Sequence, residues 1–461
     1  MTTEATTPTA TWQGNEHYRR SWYWYDWANS AYVTTTATVL FTPYLTAIAE
    51  AAACPDLADG ETCRTNLEVL GVGISPGSVA PFTVTLATIV SAVALIFVGA
   101  IADRSPRPAR LLGVFALVGS VAACLMALVR GTNWQLGVVL LIVANLSLGA
   151  SLVVYDSILC RIASPDDRDK VSSRGWALGY LGGGLLLAIN FLMLSKPDAL
   201  GLDKGGAVRL SMLMAGLWWA GFSLVPVIGM WRLRGVERPE VARTAGIVGG
   251  SLRQLASTFR ELRLFPQTML FLIAYLFFND GIQTVIGQSS LYGQRELGFP
   301  ETTMLTLFLM VQFVGFGGAL LFGSLARRYG AWRTVLWGLV LWTGVVVFAY
   351  FVPDKQVAPL FVLGVAIGLV LGGTQALSRS LYSQLVPKDR EAEFFSLYQA
   401  MERGTSWFGT LTFGLVYQWT GSYRPAIVAL AVFFILGGAL LARVDMRRGI
   451  LEAGNTLPHV V

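Results

Sequence analysis

Runs of about 20 apolar residues recur along the whole 461-residue chain, separated by short polar segments. Each run is long enough to cross a hydrocarbon layer of about 30 Å as an α-helix. Charged residues make up 13% of the chain and hydrophobic residues 54%, whereas soluble proteins average about 25% and about 45–50%. Together with a mean hydropathy of +0.57, this pattern excludes a soluble protein and predicts an all-α membrane protein.

The apolar runs predict twelve transmembrane helices. The spans cover roughly residues 22–48, 79–101, 111–130, 134–157, 173–194, 208–231, 267–289, 303–325, 332–352, 358–381, 393–417 and 424–444. The first 18 residues are polar and lack the apolar core of a cleavable signal peptide, so we expect the first span to be permanent. The predicted organisation is a tail (1–21), a six-helix half (22–231), a linker (232–266), a second six-helix half (267–444) and a tail (445–461).

Basic residues decide the predicted orientation. With the N-terminus inside, 25 of the 34 Lys and Arg residues fall in cytoplasmic segments, as expected for a membrane protein. Both termini are therefore predicted to be cytoplasmic. The net charge of +6 does not indicate nucleic-acid binding, because the basic residues lie in the gaps between spans and not on one amphipathic face.

Two polar segments leave alternatives open. The loop 50–78, predicted outside, holds Cys54 and Cys63, which form a disulfide in an oxidising compartment or stay as two thiols. In the linker, "SLRQLASTFRELRLF" places Leu252, Leu255, Phe259 and Leu262 at helical intervals among arginines. This pattern is typical of an amphipathic helix on the inner membrane surface, although a solvated linker helix predicts the same topology.

The two halves repeat each other in detail. "GAIADR" (99–104) matches "GSLARR" (323–328), and "SPDDR" (164–168) matches "VPKDR" (386–390) at nearly the same offset. "DWANS" (26–30) matches "DGIQT" (280–284), although Asp280 lies deeper in its span than Asp26. Two parallel six-helix repeats with a site between them are typical of a secondary transporter.

The chain resembles the major facilitator superfamily, and "GAIADRSPRPARLL" is similar to the loop between that family's second and third spans. In the family this loop clamps the cytoplasmic ends of the two halves together, which implies gate roles for Gly99, Asp103, Arg104 and Arg107. Physically, Asp103 can face a helix N-terminus across the interface, where the helix dipole favours an anion. Pro106 and Pro108 depart from the family's usual residues in this loop.

A narrower resemblance covers residues 22 to about 400. "WYWYDWANSAY", "GWALGYLGGGL", "FLIAYLFFNDGIQT" and "GGTQALSRSLYSQLVPKDREAEFF" are similar to the autophagy-linked vacuolar effluxers and their bacterial branch. The fungal members are associated with amino-acid export from the vacuole. The resemblance implies transport of a small polar solute, with an amino acid favoured, across a bacterial plasma membrane, and we expect a monomer.

Ionisable side chains inside a span cost about 2.5–3.5 kcal/mol each and mark functional positions. Asp26 and Asn29 share one helix face, as do Asp280 and Gln283. The superfamily resemblance implies that spans one, four, seven and ten line the cavity, where Arg379 suits a carboxylate and Asp26 or Asp280 suits an ammonium group. The predicted substrate-binding residues are Asp26, Asn29, Asn279, Asp280, Gln283, Gln375 and Arg379.

Other roles remain open for several of these residues. Asp26 alternatively caps span one or pairs with Arg19, Arg20 or Arg174, beside an aromatic belt of Trp22, Tyr23 and Trp24. Asp156 and Arg161 close span four and are predicted gate residues, and Arg379 could be a gate residue too. Because low dielectric favours the neutral form of a carboxyl, Asp280 and Glu402 are the candidates for proton coupling, which we favour over sodium coupling.

An enzyme is disfavoured, because the only histidines, His17 and His459, lie in the polar tails and no cluster has catalytic or metal-binding spacing. We therefore predict no cofactor and no metal. A sensor or scaffold that keeps the transporter fold is the main alternative, and the buried charges argue against it. A channel is also disfavoured, since two repeated halves suit alternating access.

Overall fold

A computed structural model describes residues 16–55, 63, 65–69, 71–235, 263–404 and 407–461. The N-terminal half holds α1 (Glu16–Ala31), a π-helical stretch (Tyr32–Leu40), α2 (Phe41–Ala53), α3 (Pro76–Asp103), α4 (Pro108–Leu125), α5 (Trp134–Ile162), α6 (Arg168–Ser195) and α7 (Lys204–Gly229). The C-terminal half holds α8 (Pro266–Leu291), α9 (Glu301–Tyr329), α10 (Ala331–Tyr350), α11 (Val357–Leu385), α12 (Glu391–Gly404), α13 (Trp407–Thr420), α14 (Tyr423–Ala429), α15 (Ala431–Ala442) and α16 (Met446–Glu452).

Proline and aspartate fix several helix starts. α3, α4 and α8 each begin at a proline, which has no N–H to leave unpaired and a φ already suited to a helix. Pro108, one of the two prolines that depart from the family loop, is thus the first residue of α4. Asp203 caps α7 by accepting a hydrogen bond from the Gly206 N–H at 3.0 Å. These local signals place the helix ends close to the predicted span boundaries.

Ten helices in the described part of the chain are long and apolar enough to span a membrane. The all-α membrane fold is confirmed, but the count of twelve is not. Predicted span one occurs as α1, the π-helical stretch and α2 in succession, and α1 is only 16 residues long. Predicted span eleven occurs as α12 and α13, of 14 residues each, on either side of residues 405–406, which are not described.

One end of the bundle holds Asp103, the last residue of α3, and the other holds the disulfide that joins Cys54 and Cys63; we call them the Asp103 end and the disulfide end. At the Asp103 end, the guanidinium of Arg19 donates to the Ile162 carbonyl at 2.9 Å, and Thr268 donates to the Leu385 carbonyl at 3.0 Å. At the opposite, disulfide end, Tyr44 donates to the Val129 carbonyl at 2.7 Å. Large apolar side chains such as Phe82 and Val340 are exposed around the bundle between these ends, which is the surface that a lipid bilayer covers.

A small structured loop follows α2 at the disulfide end. Cys54 and Cys63 are joined in a disulfide, with their Cα atoms 5.9 Å apart. Strands β1 (Leu67–Val69) and β2 (Val72–Ile74) form an antiparallel hairpin just beyond it, a feature that the helical pattern did not predict. The predicted linker helix covers residues 251–265, of which 251–262 lie outside the described residues, so the linker bounds stay a prediction.

The disulfide gives a direct chemical prediction. Denatured, unreduced protein should react with two equivalents of a maleimide, at Cys124 and Cys160, which are free. After reduction, four should react. Mass spectrometry of the labelled chain checks this count, and a Cys54→Ser, Cys63→Ser variant should give two labels under both conditions. Four labels before reduction would contradict the bridge.

Candidate functional site

Arg379 of α11 lies at the centre of a buried ion network that joins the two halves. Its Nη2 is 3.0 Å from Oδ2 of Asp26 on α1, and its Nη1 is 3.3 Å from Oδ1 of Asp156 on α5. The exposed fractions of these side chains are 3%, 8% and 2%. Such a pair persists only where hydrogen bonds satisfy the remaining donors and acceptors. The Asp26 carboxylate therefore pairs with Arg379 and not with Arg19, Arg20 or Arg174.

Ser172 and Tyr155 complete the hydrogen bonding of the network. The Arg379 Nε donates to Ser172 Oγ at 2.9 Å, and Nη2 donates to the Ser172 carbonyl at 3.1 Å. The Tyr155 hydroxyl donates to Asp26 Oδ2 at 2.8 Å. Each nitrogen of the guanidinium thus has an oxygen partner from the N-terminal half.

Aromatic rings surround the same guanidinium. Its central carbon lies 4.8 Å from the ring centroid of Trp22, 5.4 Å from Tyr155 and 5.5 Å from Trp176, within the range of cation–π attraction. Trp22 also stacks on Tyr155, with the ring centroids 4.2 Å apart. The predicted aromatic belt at residues 22–24 is therefore wrong for Trp22, which is fully buried against the ion network.

The residues of the N-terminal half that surround the Arg379 guanidinium form what we call the Arg379 pocket. Its members are Trp22, Asp26, Tyr155, Asp156, Ser172 and Trp176. Gly175 on α6 lets the helices approach closely enough to form it. A Cβ at Gly175 would lie 2.6 Å from Asp26 Oδ2 and 2.8 Å from the Trp22 ring. A side chain at this position would displace the carboxylate or the ring.

A second set of hydrogen bonds extends from Asp156 to Glu402 on α12. The Gln399 amide donates to Asp156 Oδ2 at 2.9 Å and to Glu402 Oε2 at 3.3 Å. The Tyr275 hydroxyl of α8 also donates to Glu402 Oε2, at 3.3 Å. The predicted coupling residue Glu402 is therefore connected to the Arg379 network through a single amide side chain.

Predicted polar residues on α8 and α11 meet deeper in the bundle. The Gln375 amide donates to Asn279 Oδ1 at 3.0 Å, and the Asn279 amide donates to the Glu402 carbonyl at 3.4 Å. Gln375 lies ten residues before the end of α11, which corresponds to about 15 Å of helix. Arg379 is only about 9 Å from that end, so the two sites lie at different depths.

Three predicted binding residues lie apart from this network. Asp280 accepts a hydrogen bond from the Gly409 N–H at 2.8 Å, and its Oδ1 is buried with no hydrogen-bond partner in the described structure. Asn29 donates to the carbonyl of Tyr25 on its own helix at 2.6 Å. Gln283 is half-buried, one turn of α8 beyond Asn279. The repeat-related acids Asp26 and Asp280 thus have different partners.

Asp103 joins the halves at the end of the bundle. Its two carboxylate oxygens accept hydrogen bonds from the Ala392 and Glu393 N–H groups, at 2.9 and 2.8 Å. These are the second and third N–H groups of α12, where the helix dipole favours an anion. Arg161 of the N-terminal half lies 3.7 Å from Glu391 in the same region. Arg104 and Arg107, by contrast, are exposed.

Helices α3 and α12 cross closely at Gly99. A Cβ there would lie 2.7 Å from the Ala392 carbonyl oxygen and from the Ser396 side chain. Asp103 lies four positions after Gly99, so both lie on one face of α3. Asp103 and Gly99 together bring the N-terminal part of α12 onto the N-terminal half.

More contacts between the halves close the same end, and sequence reasoning missed them. Arg168 donates to the Ser383 carbonyl at 2.6 Å, and Gln384 donates to the Pro165 carbonyl at 2.8 Å. Ser380 donates to Asp169. These residues lie in or near the matching "SPDDR" and "VPKDR" segments. The match between these segments was the sequence signal that could have located the contacts. The described conformation is closed at the Asp103 end.

A family model described as "Vacuole effluxer Atg22 like" matches residues 15–454. The chain belongs to this Atg22-like family. The MFS-type transporter YxiO of Bacillus subtilis (strain 168) is 28% identical over 95% of this chain and 97% of its own length. Autophagy-related protein 22-1 of Phaeosphaeria nodorum is 27% identical, over 86% of this chain and 81% of its own.

Solved structures support the fold of this Atg22-like chain. The proton:xylose symporter XylE superposes with a TM-score of 0.67 at 12% identity, covering 93% of this chain and 95% of its own. A bacterial homologue of the iron transporter ferroportin, in an outward-facing state, gives 0.65 at 12% identity, over 93% and 98%. These structures show the major facilitator fold. The match to the effluxer family and the MFS-type relative support a multi-pass membrane protein that is a transporter and not an enzyme.

Proposed function

We propose that this Atg22-like protein is a proton-coupled secondary transporter that moves an amino acid by alternating access. One observation carries the proposal: the buried ion network in which Arg379 of one half pairs with Asp26 and Asp156 of the other. A buried cross-half network has two discrete arrangements, paired and separated, and alternating access needs such a two-state contact.

The proposed solute site contains Asp26, Asn29, Asn279, Asp280, Gln283, Gln375 and Arg379. An amino acid carries an ammonium group and a carboxylate. When the halves separate, its ammonium group can pair with Asp26 and its carboxylate can pair with Arg379. The proposed lock contains Gly99, Asp103, Arg104, Arg107, Asp156 and Arg161. Closure at the Asp103 end, combined with cytoplasmic termini, makes the described conformation outward-facing.

The proposed location is a bacterial plasma membrane, and the proposed assembly is a monomer. The Bacillus relative aligns over nearly its whole length, which supports the bacterial setting, whereas the basic segments support cytoplasmic termini.

Uptake into proteoliposomes tests the proposed function. The purified full chain should exchange labelled amino acids from a panel of twenty, and a pH gradient should drive net accumulation. An equal gradient of sodium at constant pH should not. Protein-free vesicles provide the background. If no amino acid moves under any gradient, the protein is not an amino-acid transporter. If no small solute of any class is taken up, a sensor or scaffold is favoured.

The coupling residue can be identified with one conservative pair of variants. Glu402→Gln is expected to reduce pH-driven accumulation at least tenfold while solute exchange at equal pH persists, because the amide cannot carry the proton through the network. Asp280→Asn is the matched test of the other candidate acid. If Asp280→Asn alone abolishes accumulation and Glu402→Gln does not, the coupling proton is bound at Asp280.

A further inference from the structure

The Arg379 pocket is a complete guanidinium site built by one half of the protein and filled by the other. Its oxygen partners, on Asp26, Asp156 and Ser172, lie on α1, α5 and α6 of the N-terminal half. Its aromatic walls, Trp22, Tyr155 and Trp176, lie on the same three helices. Arg379 comes from α11 of the C-terminal half. Separation of the halves at the Asp103 end therefore empties the pocket.

An empty pocket has a strong requirement for a cation. Asp26 and Asp156 are both nearly fully buried when Arg379 fills the pocket. Closure of the halves over an empty pocket would bury two carboxylates without a partner, which is costly. The geometry also selects the shape of the cation. A planar fork of N–H donors matches the two carboxylates and the Ser172 oxygens, and a flat cation stacks on tryptophan and tyrosine rings.

We infer that the Arg379 pocket is the binding site for the guanidinium group of the transported solute. The Arg379 side chain competes with this group for the pocket. The inference rests on the proposed transport function and narrows the substrate to amino acids with a guanidinium side chain. The solute's carboxylate then pairs with the released Arg379, as guanidinium–carboxylate pairs do in bidentate geometry. Binding thus replaces the contact that holds the halves together, and release of the solute restores it.

Equilibrium binding to the wild-type full chain in nanodiscs is the first test. L-arginine should bind at least tenfold more tightly than L-citrulline, which has the same shape but a neutral end group. Agmatine, which lacks the carboxylate, should fall between them. Trp22→Leu should weaken arginine binding at least fivefold, whereas Trp24→Leu should not, because Trp24 stacks on Phe222 on the other side of α1. Equal affinity for arginine and citrulline would overturn the inference.

Chemical rescue provides the second test and does not depend on transport. Arg379→Ala leaves the pocket without its occupant, so millimolar guanidinium ion should raise the thermal midpoint of this variant by several degrees. Urea, which is planar but neutral, should not, and Asp26→Asn added to Arg379→Ala should remove the effect. No stabilisation by guanidinium beyond that of urea in folded Arg379→Ala protein contradicts the pocket assignment.

The outcomes separate the two proposals. If vesicles transport neutral amino acids and arginine binds no better than citrulline, the proposed function stands and the guanidinium inference fails. If guanidinium rescues Arg379→Ala and arginine binds but no solute is transported, the pocket assignment stands and the proposed function fails.

Discussion

Arg379→Met should destabilise the closed conformation by about 3–5 kcal/mol, the usual cost of removing one partner from a buried ion pair. The loss is large because two carboxylates, Asp26 and Asp156, then lack their cation. Transport should fall at least a hundredfold, since the variant can neither form the paired state nor exchange it for solute. Thermal unfolding in detergent, followed by vesicle uptake, measures both effects.

A triple variant distinguishes lost charge balance from lost packing. Asp26→Asn, Asp156→Asn and Arg379→Met together remove all three charges, and replacing a whole buried ion network is often neutral for stability. The triple variant should therefore recover most of the thermal midpoint while remaining inactive. Arg448→Met removes an exposed pair with Glu452 and should change stability by less than about 1 kcal/mol. A triple variant as unstable as Arg379→Met would show that packing, and not charge, dominates.

The helical fold could be predicted because a bilayer imposes it. Each span must be long, apolar and internally hydrogen-bonded, so the sequence pattern alone located the helices from α3 to α11 within a few residues. The first and eleventh spans were harder to define. Span one includes a π-helical stretch, Tyr32–Leu40, and no periodicity in the sequence signals where a helix changes its hydrogen-bonding register.

The site could be predicted in composition but not in pairing. The cost of burying Asp26 and Arg379 marked both residues as functional. Their partnership spans 353 residues and depends on how α1 and α11 meet, which local patterns do not encode. Ser172, Tyr155 and Trp176 were missed, because a serine or an aromatic residue in a membrane helix is common and carries no charge penalty to reveal it.

The internal repeat predicted which segments lie at the same end of the bundle, but it did not predict the partners of individual side chains. It related "SPDDR" to "VPKDR", and both segments lie at the closed Asp103 end. It also related Asp26 to Asp280, yet one pairs with a guanidinium and the other accepts a single backbone hydrogen bond. Repeats preserve backbone position, whereas the partner of a side chain depends on the residues packed against it. The partner of Asp26 lies in the opposite half, and that of Asp280, Gly409, lies in its own half.

Gly99→Val is expected to open the Asp103 end. A Cβ at this position would come within 2.7 Å of the Ala392 carbonyl oxygen, and backbone atoms of a packed helix cannot move away cheaply. Overpacking of this kind costs about 1–3 kcal/mol, which acts only on the closed conformation because the contact crosses the halves. The population that is open at this end should rise by roughly tenfold to a hundredfold.

Cys160 is a native reporter of this opening. Its Sγ lies 3.7 Å from the Ser383 carbonyl oxygen of the opposite half, so separation of the halves exposes the thiol. In a Cys124→Ala background, Gly99→Val should increase the maleimide labelling rate of Cys160 at least tenfold. Gly317→Val is the matched control, because a Cβ at Gly317 has no atom within 4 Å, and its labelling rate should equal that of the parent. Equal labelling of all three proteins would show that the α3–α12 crossing does not control closure of the Asp103 end.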